Sequence, residues 1–171
     1  MTSEILSWLQ RIRKQVPFTP GRVLEVGSRD VTEDRNGNPR QSFKDATEYI
    51  GIDMEAGEGV DKVLNANQIF DEFGYQAFET VICCEMLEHD LHFFSTLSQM
   101  IICLNPGGHL IITTPTFGFP LHRFPKDYWR FGEDAFREVF FAGFDIITLQ
   151  HLDDALLPAK DVTIAAIGRK K

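Results

Sequence analysis

The segment that decides the fold is FETVICCEMLEH, residues 78–89. It begins with a nearly continuous apolar run, the form expected for a parallel strand covered on both faces. Directly after the run come Glu85, Glu88 and His89. In open parallel sheets, ligands bind beyond the carboxyl ends of the strands. The segment therefore predicts a central buried strand with a functional site at its end.

Strand-like runs and helical patterns alternate on both sides of this segment. The predicted strands lie at 22–26, 49–53, 61–64, 79–84, 109–114, 144–149 and 161–167. This alternation implies crossover connections and an α/β fold with a mostly parallel sheet. Residues 150–160 are too few for a comfortable crossover, so the last two strands are expected to pair antiparallel.

Apolar residues at helical spacing predict the helices between these strands. Helices are expected over 5–16, 91–104 and 133–141, with shorter helical turns near 41–46 and 67–73. Asp90 has the residue type and position of an N-cap for the second helix. The N-terminal helix is expected to lie amphipathically on the domain.

Composition and charge limit the class of protein. The chain has 171 residues, 43% of them hydrophobic, which fits one globular domain over 1–171. The net charge of −8 argues against nucleic-acid and anionic-membrane partners, which need a basic face. No apolar run reaches the roughly 18 residues of a membrane helix. An odd count of three cysteines predicts a reduced, cytoplasmic chain. The oligomeric state stays open.

Two other predicted strands end in residues suited to a ligand. Gly27 follows the first strand, where a glycine allows a sharp turn and a close approach to the backbone. Asp53 ends the second strand, where an acid can accept two hydrogen bonds from a ribose diol. Because the carboxyl ends of parallel strands meet at one edge, Gly27, Asp53 and residues 85–89 are expected to face the same crevice.

Four motifs in order resemble the class I S-adenosylmethionine-dependent methyltransferases, and among them the proteins with a type 11-like domain. The motifs are VLEVG at 23–27, YIGID at 49–53, the segment 78–89, and LNPGGHL at 104–110. The resemblance covers about residues 22–144. It implies a Rossmann-like, doubly wound sheet with one antiparallel strand near the C-terminus, and S-adenosyl-L-methionine as the cofactor.

The resemblance also implies a set of cofactor contacts along the strand ends. Glu25 and Gly27 would contact the methionine part, and Asp53 would contact the ribose. Met54, Asn65 and Asn67 would border the adenine. Cys84 and Glu85 would lie near the sulfonium. The chain departs from the family in the first loop, where Ser28 stands in place of a further glycine. The absence of Gly-x-Gly-x-x-Gly also disfavours a dinucleotide.

The aromatic and polar stretch 115–131 leaves a central strand at the same edge and is the expected acceptor side. Part of it resembles a His…Pro-x-Asp-Tyr-Trp-Arg-Phe segment of family members that look tied to sugar or cell-envelope chemistry. We therefore expect a small-molecule or sugar/cell-envelope-type acceptor. The expected base is His122, then His89, oriented by Asp127 or Tyr128; Trp129 and Arg130 would contact the acceptor. In a competing interpretation, Trp129 caps the core, Asp127 pairs with Arg130, and His89 fixes its loop.

Within one methyltransferase domain, residues 1–17 are expected to form the N-terminal helix, 22–114 the cofactor-binding core and 115–171 the acceptor side. Two alternatives stay open. One is a metal-dependent hydrolase using Glu85, His89 and His92. Together with Glu88 these residues fall in one predicted helical stretch, where the spacing of four between 85 and 89 and between 88 and 92 can place a carboxylate and a histidine on one face. The other is a Rossmann-like binding module that has lost methyl transfer, which the irregular first loop suggests.

Overall fold

A computed structural model of the protein describes residues 2–31, 38–123, 125–154 and 157–171. The strands are β1 (Arg22–Val26), β2 (Glu48–Asp53), β3 (Lys62–Val63), β4 (Phe78–Cys84), β5 (Leu104–Pro115), β6 (Phe144–Leu152) and β7 (Thr163–Lys170). The α-helices are α1 (Ser3–Gln15), α2 (Ile69–Phe73), α3 (Phe93–Cys103) and the short α4 (Glu133–Ala135). Tighter 3₁₀ turns cover Pro39–Ser42, Ala66–Gln68 and Leu87–His89.

The strands form one seven-stranded sheet in the order β3-β2-β1-β4-β5-β7-β6. Strands β3, β2, β1, β4 and β5 pair in parallel, and β7 runs antiparallel between β5 and β6. The predicted α/β class and the antiparallel pairing of the last two strands are confirmed. The parallel register brings the ends of β1, β2 and β4 level, since Val26 lies beside both Ile52 and Cys83.

Alternation along β4 divides the core between the two faces of the sheet. Val81 and Cys83 belong to the cluster that also contains buried residues of α3, whereas Ile82 and Cys84 pack with Trp8 and other residues of α1. Helix α1 buries Ile5, Leu6, Trp8, Leu9 and Ile12 at helical spacing. The amphipathic N-terminal helix predicted from the sequence therefore covers one face of the sheet.

Three predicted elements are shorter or tighter than expected. The helical turn near 41–46 is a 3₁₀ turn at Pro39–Ser42, and β3 is reduced to Lys62–Val63. The helix over 133–141 is α-helical for Glu133–Ala135 and then a π-helix through Phe140. The wider turn of a π-helix brings residues four and five positions apart onto one side. Phe136, Phe140 and Phe141 can consequently all be buried.

The segment between β4 and α3 is not the continuous helix that the charge spacing suggested. Glu85 has a left-handed backbone conformation, φ 51°, which ends the strand abruptly. Residues Leu87–His89 follow as one 3₁₀ turn, and α3 begins at Phe93. The N-cap of α3 is His92, without a side-chain cap, so the N-cap predicted at Asp90 is wrong. The Asp90 side chain instead fixes the turn before the helix, accepting from the His92 backbone N–H at 2.7 Å and from the Thr96 hydroxyl at 2.5 Å.

Candidate active site at the strand ends

Glu85 lies directly beyond β4 and is tied to the neighbouring strand β5. Its backbone N–H donates to the Thr113 carbonyl at 3.0 Å, and its carboxylate accepts from the Thr113 hydroxyl at 3.0 Å. Burial raises the pKa of Glu85 to about 8, and the nearby charge of Glu88 acts in the same direction. The structure thus holds an acid with an unusually high affinity for its proton at the end of the central strand.

Glu25 is the second buried acid of the site edge, with 4% of its surface exposed. Its carboxylate accepts a hydrogen bond from the Tyr49 hydroxyl at 2.9 Å. Burial raises the pKa of Glu25 to about 8, and the Tyr49 hydrogen bond partly offsets that effect. Burial also raises the pKa of the Cys84 thiol, with further contributions from the charges of Glu25 and Glu85. The charges of Glu25 and Glu85 therefore both influence Cys84, the last residue of β4.

Cys84 itself is a core residue and does not line an open crevice. It is 8% exposed and packs among residues of α1, including Ile5 and Trp8. The turn at Gly27 has φ 80°, a conformation that favours glycine. A Cβ at this position would lie 2.5 Å from Cγ of Met86. The room left by the missing side chain is thus taken up by Met86.

Asp53, at the end of β2, has its carboxylate fixed by the backbone. One oxygen accepts from the Arg29 N–H at 3.3 Å and the other from the Glu55 N–H at 3.1 Å. Its neighbour Met54 is 65% exposed, and the Met54 sulfur lies 3.7 Å from the Asn65 side-chain nitrogen. The structure therefore brings Asp53, Met54 and Asn65 to one corner of the edge.

Two polar atoms near this corner are buried without a hydrogen-bond partner among the described residues: the Ser28 hydroxyl and the side-chain oxygen of Asn67. Buried polar atoms in folded proteins nearly always have partners, supplied by the protein, water or a ligand. Ser28 directly follows Gly27, and the Asn67 backbone N–H donates to the Asn65 side chain at 2.9 Å. Both atoms therefore have hydrogen-bonding capacity left for a polar ligand.

On the acceptor side, Asp127 and Arg130 form a two-pronged ion pair, at 2.5 and 2.8 Å. This hydrogen bonding holds the pKa of Asp127 well below its usual range. Asp127 also accepts from the backbone N–H of His122 at 2.7 Å. The pair therefore fixes the backbone at His122, and the pairing of Asp127 with Arg130 matches the structural interpretation weighed from the sequence.

His122, His89 and Glu88 meet in one cluster. Nε2 of His122 is 3.6 Å, and Nε2 of His89 3.5 Å, from the same oxygen of Glu88. The two imidazole rings contact each other edge to face, with centroids 4.8 Å apart. Nδ1 of His89 lies 2.5 Å from the Lys126 carbonyl, and Nδ1 of His122 lies 3.4 Å from Asp127. The two histidines predicted as candidate bases are thus brought together from separate parts of the chain.

Tyr128 and Trp129 connect the acceptor side to this cluster through the backbone. Their N–H groups donate to the Glu88 carbonyl at 2.8 and 3.3 Å. The Trp129 indole donates to the Asp90 carbonyl at 2.9 Å, and its ring packs edge to face on Phe93. Trp129 therefore has a well-defined structural function, while the Tyr128 side chain is exposed.

Glu88 was considered from the sequence only in the hydrolase alternative and was given no role in methyl transfer. It is fully buried, and neither carboxylate oxygen has a hydrogen-bond partner among the described residues. The set Glu85, His89 and His92 predicted for the hydrolase alternative is wrong as a cluster, because residues 85–92 are not one helix and the exposed His92 precedes α3. In the described part of the chain, the group that could hold a metal ion is Glu88, His89 and His122.

Two surface grooves of about 250 and 380 Å³ lie along α1, and neither is lined by a predicted site residue. Within the described ranges, no helix has both the length and the apolar character needed to cross a membrane.

The fold and the strand-end residues define the class of protein. Residues 1–154 match the family described as a methyltransferase domain, so the chain belongs to that family. This match confirms the resemblance found in the sequence. A comparison with the sequences of curated proteins gives no match.

Three solved structures with a similar fold are methyltransferases. One is the Burkholderia thailandensis 1,6-didemethyltoxoflavin-N1-methyltransferase with bound 1,6-didemethyltoxoflavin and S-adenosylhomocysteine, with TM-score 0.73, 16% identity, and coverage of 97% of this chain and 78% of that one. A second is the N-methyltransferase NodS from Bradyrhizobium japonicum with S-adenosylhomocysteine, with TM-score 0.68, 14% identity, and coverage of 98% of this chain and 86% of that one. A third is a SAM-dependent methyltransferase from Archaeoglobus fulgidus, with TM-score 0.67, 14% identity, and coverage of 96% of this chain and 94% of that one. At these identities the likeness concerns the fold.

Proposed function

We propose that this protein transfers a methyl group from S-adenosyl-L-methionine to a hydroxyl of a small-molecule or sugar/cell-envelope-type acceptor. The observation that carries the proposal is the Glu88–His89–His122 cluster just beyond β4, on a methyltransferase-family fold. Amine acceptors in their neutral form need no base. A buried carboxylate with two imidazoles suits an acceptor that must lose a proton.

The strand-end residues fit the cofactor by their chemistry. Asp53 would hold the ribose hydroxyls, because both its oxygens are oriented by backbone N–H groups and a carboxylate can accept further hydrogen bonds. Met54 and Asn65 would border the adenine, and the unpartnered oxygen of Asn67 can accept from an exocyclic amine. Glu25, Gly27 and Glu85 are at the remaining strand ends and are proposed to lie near the methionine part and the sulfonium, Gly27 through its backbone. Cys84 packs in the core beside α1 and is not proposed as a contact.

The cofactor supplies a methyl group that is already activated on a sulfonium. The task of the chain is then to align the acceptor, to keep water out and to take up a proton. His122 would receive the acceptor proton, since its backbone and its Nδ1 side are fixed by Asp127. His89 lies against it and would act as its partner. Tyr128, whose side chain is exposed, would contact the acceptor at the rim, whereas the N–H groups of Arg130 are all bonded within the protein.

Calorimetry with S-adenosylmethionine and S-adenosylhomocysteine tests the cofactor half of the proposal. Wild type is expected to bind both, and Asp53→Ala is expected to weaken both. The matched control is Glu55→Ala, because Glu55 is an exposed acid two residues further on. Absence of heat with either ligand at millimolar concentration contradicts the proposal.

Transfer of a radiolabelled methyl group to monosaccharides and simple phenols, compared with the corresponding amines, tests the acceptor half. We expect the hydroxyl compounds to be labelled and His122→Ala to lose that labelling. Tight cofactor binding with no labelling of any compound would support the alternative of a binding module that has lost methyl transfer.

A further inference from the structure

We propose that Glu88, His89 and His122 bind one divalent metal ion with a preference for nitrogen and oxygen ligands, such as Zn²⁺. One oxygen or nitrogen atom from each of the three residues lies within 4.8 Å of the other two. The use of this ion in catalysis rests on the proposed methyl transfer, but its binding does not.

The first argument is the isolation of the Glu88 carboxylate. The side chain is 0% exposed, and both oxygens lack a hydrogen-bond partner among the described residues. A buried ionised carboxylate is strongly unfavourable unless it is paired, hydrogen-bonded or coordinated to a metal. Glu88 therefore needs a cation or a proton that the surrounding side chains do not supply.

Arg130 is charged and close enough to feel Glu88, but its donors are committed elsewhere. Its pKa is raised first by the bond to Asp127, and the charge of Glu88 adds to this. The guanidinium bonds Asp127 through both terminal nitrogens and also donates to the carbonyls of Phe119, Pro120 and Trp129. These five bonds use the five N–H groups of an arginine. No N–H group of Arg130 is left for Glu88.

The second argument is the orientation of the two imidazoles. Nδ1 of His89 faces the carbonyl oxygen of Lys126, which can only accept, so we assign the ring proton to that nitrogen. Nδ1 of His122 is 3.4 Å from a carboxylate oxygen of Asp127 and makes no hydrogen bond among the described residues. We assign the ring proton to this nitrogen because the nearby Asp127 oxygen can only accept. In the neutral rings, Nε2 then carries a lone pair, and both lone pairs point toward the Glu88 oxygen. Three electron-pair donors converge with nothing positive between them.

The spacing fits a metal better than a hydrogen bond. Nε2 of each ring is 3.5 or 3.6 Å from Glu88, beyond the usual length of a charged N–H···O bond. Zinc–ligand distances of about 2.0–2.1 Å place the ligands of a tetrahedral site about 3.3–3.4 Å apart. To hold the ion, the two contacts with Glu88 would shorten by about 0.1–0.3 Å, and the widest pair of ligand atoms, up to 4.8 Å apart, would close by up to about 1.5 Å.

The outer contacts also resemble those of metal-binding histidines. Such histidines commonly donate their second ring nitrogen to a carbonyl or carboxylate, which fixes the ring. The Lys126 carbonyl has this position for His89. For His122, Asp127 lies 3.4 Å from Nδ1 without forming a hydrogen bond, and Asp127 is itself fixed by Arg130. Three protein ligands leave an open coordination position, as in catalytic zinc sites.

An acceptor hydroxyl at the open position would be more acidic than in water, because a bound cation stabilises its oxyanion. In the transfer, the acceptor oxygen forms a bond to the methyl carbon while the carbon–sulfur bond breaks, and the electron pair remains on sulfur. The hydroxyl proton leaves to a solvent base. With the ion bound, His122 would serve as a ligand, and a solvent base would take up the proton that His122 receives in the metal-free form of the proposal.

The test is metal binding by the full chain after stripping with EDTA. Calorimetry with Zn²⁺ and visible absorption with Co²⁺ are expected to give one equivalent, with Mg²⁺ binding more weakly. Glu88→Gln and His122→Ala are each expected to weaken Zn²⁺ binding at least 100-fold. The matched control is His92→Ala, because His92 is an exposed histidine near the same turn and is expected to bind like wild type. Equal binding by Glu88→Gln and wild type, or no stoichiometric binding, overturns the site.

Thermal melting separates metal loss from misfolding. Without metal, Glu88→Gln is expected to melt at or above the wild-type temperature, because a buried unpaired charge is removed. Only wild type and His92→Ala should gain stability on adding Zn²⁺. A gain by Glu88→Gln as large as that of wild type contradicts the assignment. Binding of S-adenosylhomocysteine without Zn²⁺ binding would overturn the metal site alone, and the reverse would overturn the methyltransferase proposal alone.

Discussion

Asp53 at the end of β2 and Glu88 just beyond β4 are carboxylates at the same edge of the sheet, but their surroundings differ. Asp53 is partly exposed, and two backbone N–H groups orient it. Glu88 is fully buried, with two imidazoles turned toward one oxygen and no hydrogen bond to either. The Asp53 carboxylate is already stabilised by these two hydrogen bonds and by solvent. The surroundings of Glu88 leave a buried carboxyl group that needs a proton or a bound cation, so the two ends of the site are expected to respond differently to substitution.

The largest expected effect concerns His122. His122→Ala is expected to lower turnover about 10²–10⁴-fold, the range for loss of a positioned proton acceptor or of an equivalent activating group. The affinity for S-adenosylhomocysteine should change less than about twofold. Steady-state kinetics with calorimetry measures both quantities. A fall in affinity with unchanged turnover would move His122 to the cofactor side.

The next effect is a dependence of stability on pH. Burial raises the pKa of Glu25 and of Glu85 to about 8 in the folded chain, whereas in the unfolded chain both have the ordinary glutamate pKa of 4.5. The folded state then binds more protons between these values. The free energy of unfolding should fall as pH rises through this window, by at most about 1.4 kcal/mol per pH unit for each group.

Urea unfolding at several pH values measures that slope. Glu25→Gln and Glu85→Gln should each reduce it, because glutamine stays neutral. The control variant is Glu55→Gln, because the Glu55 side chain is exposed. A wild-type stability that rises from about pH 5 to pH 8 would contradict the buried, protonated state of both acids.

A smaller effect is expected at Asp53. Asp53→Ala should weaken cofactor binding by on the order of 1–3 kcal/mol, the scale of lost hydrogen bonds to a charged group. Turnover at saturating cofactor should be nearly preserved, since Asp53 lies away from the His122 cluster in this proposal. Unchanged affinity would remove Asp53 from the cofactor site.

The smallest effect should come from Trp129→Phe, which removes the indole bond to Asp90 but keeps an aromatic ring against Phe93. We expect a loss of about 1 kcal/mol in the free energy of unfolding, typical of one hydrogen bond. Denaturant unfolding checks it. A large loss of turnover with unchanged stability would instead make Trp129 an acceptor contact.

The sequence predicted the sheet because its signals are local. Apolar runs, glycine turns and the missing crossover after 149 indicated where strands lie and which one reverses. The segment 85–92 was misread as helical because nothing in its letters reveals the left-handed backbone of Glu85. Glu88 was not grouped with His122 for a related reason. Its partner His122 arrives through the Asp127–Arg130 pair and the long connection after β5, so this proximity is not encoded in local spacing.

The hydrogen bonds from Tyr128 and Trp129 to the Glu88 carbonyl have a consequence for diversification of the family. The segment that follows β5 is therefore held at both ends. It leaves the sheet at Pro115, and at Tyr128 and Trp129 it is hydrogen-bonded to the turn that follows β4. Its outward side chains, such as Phe117 and Leu121, are exposed and carry none of that anchoring. We therefore expect substitutions at exposed positions of this segment to change which acceptor binds, while the residues proposed to carry out methyl transfer keep their positions.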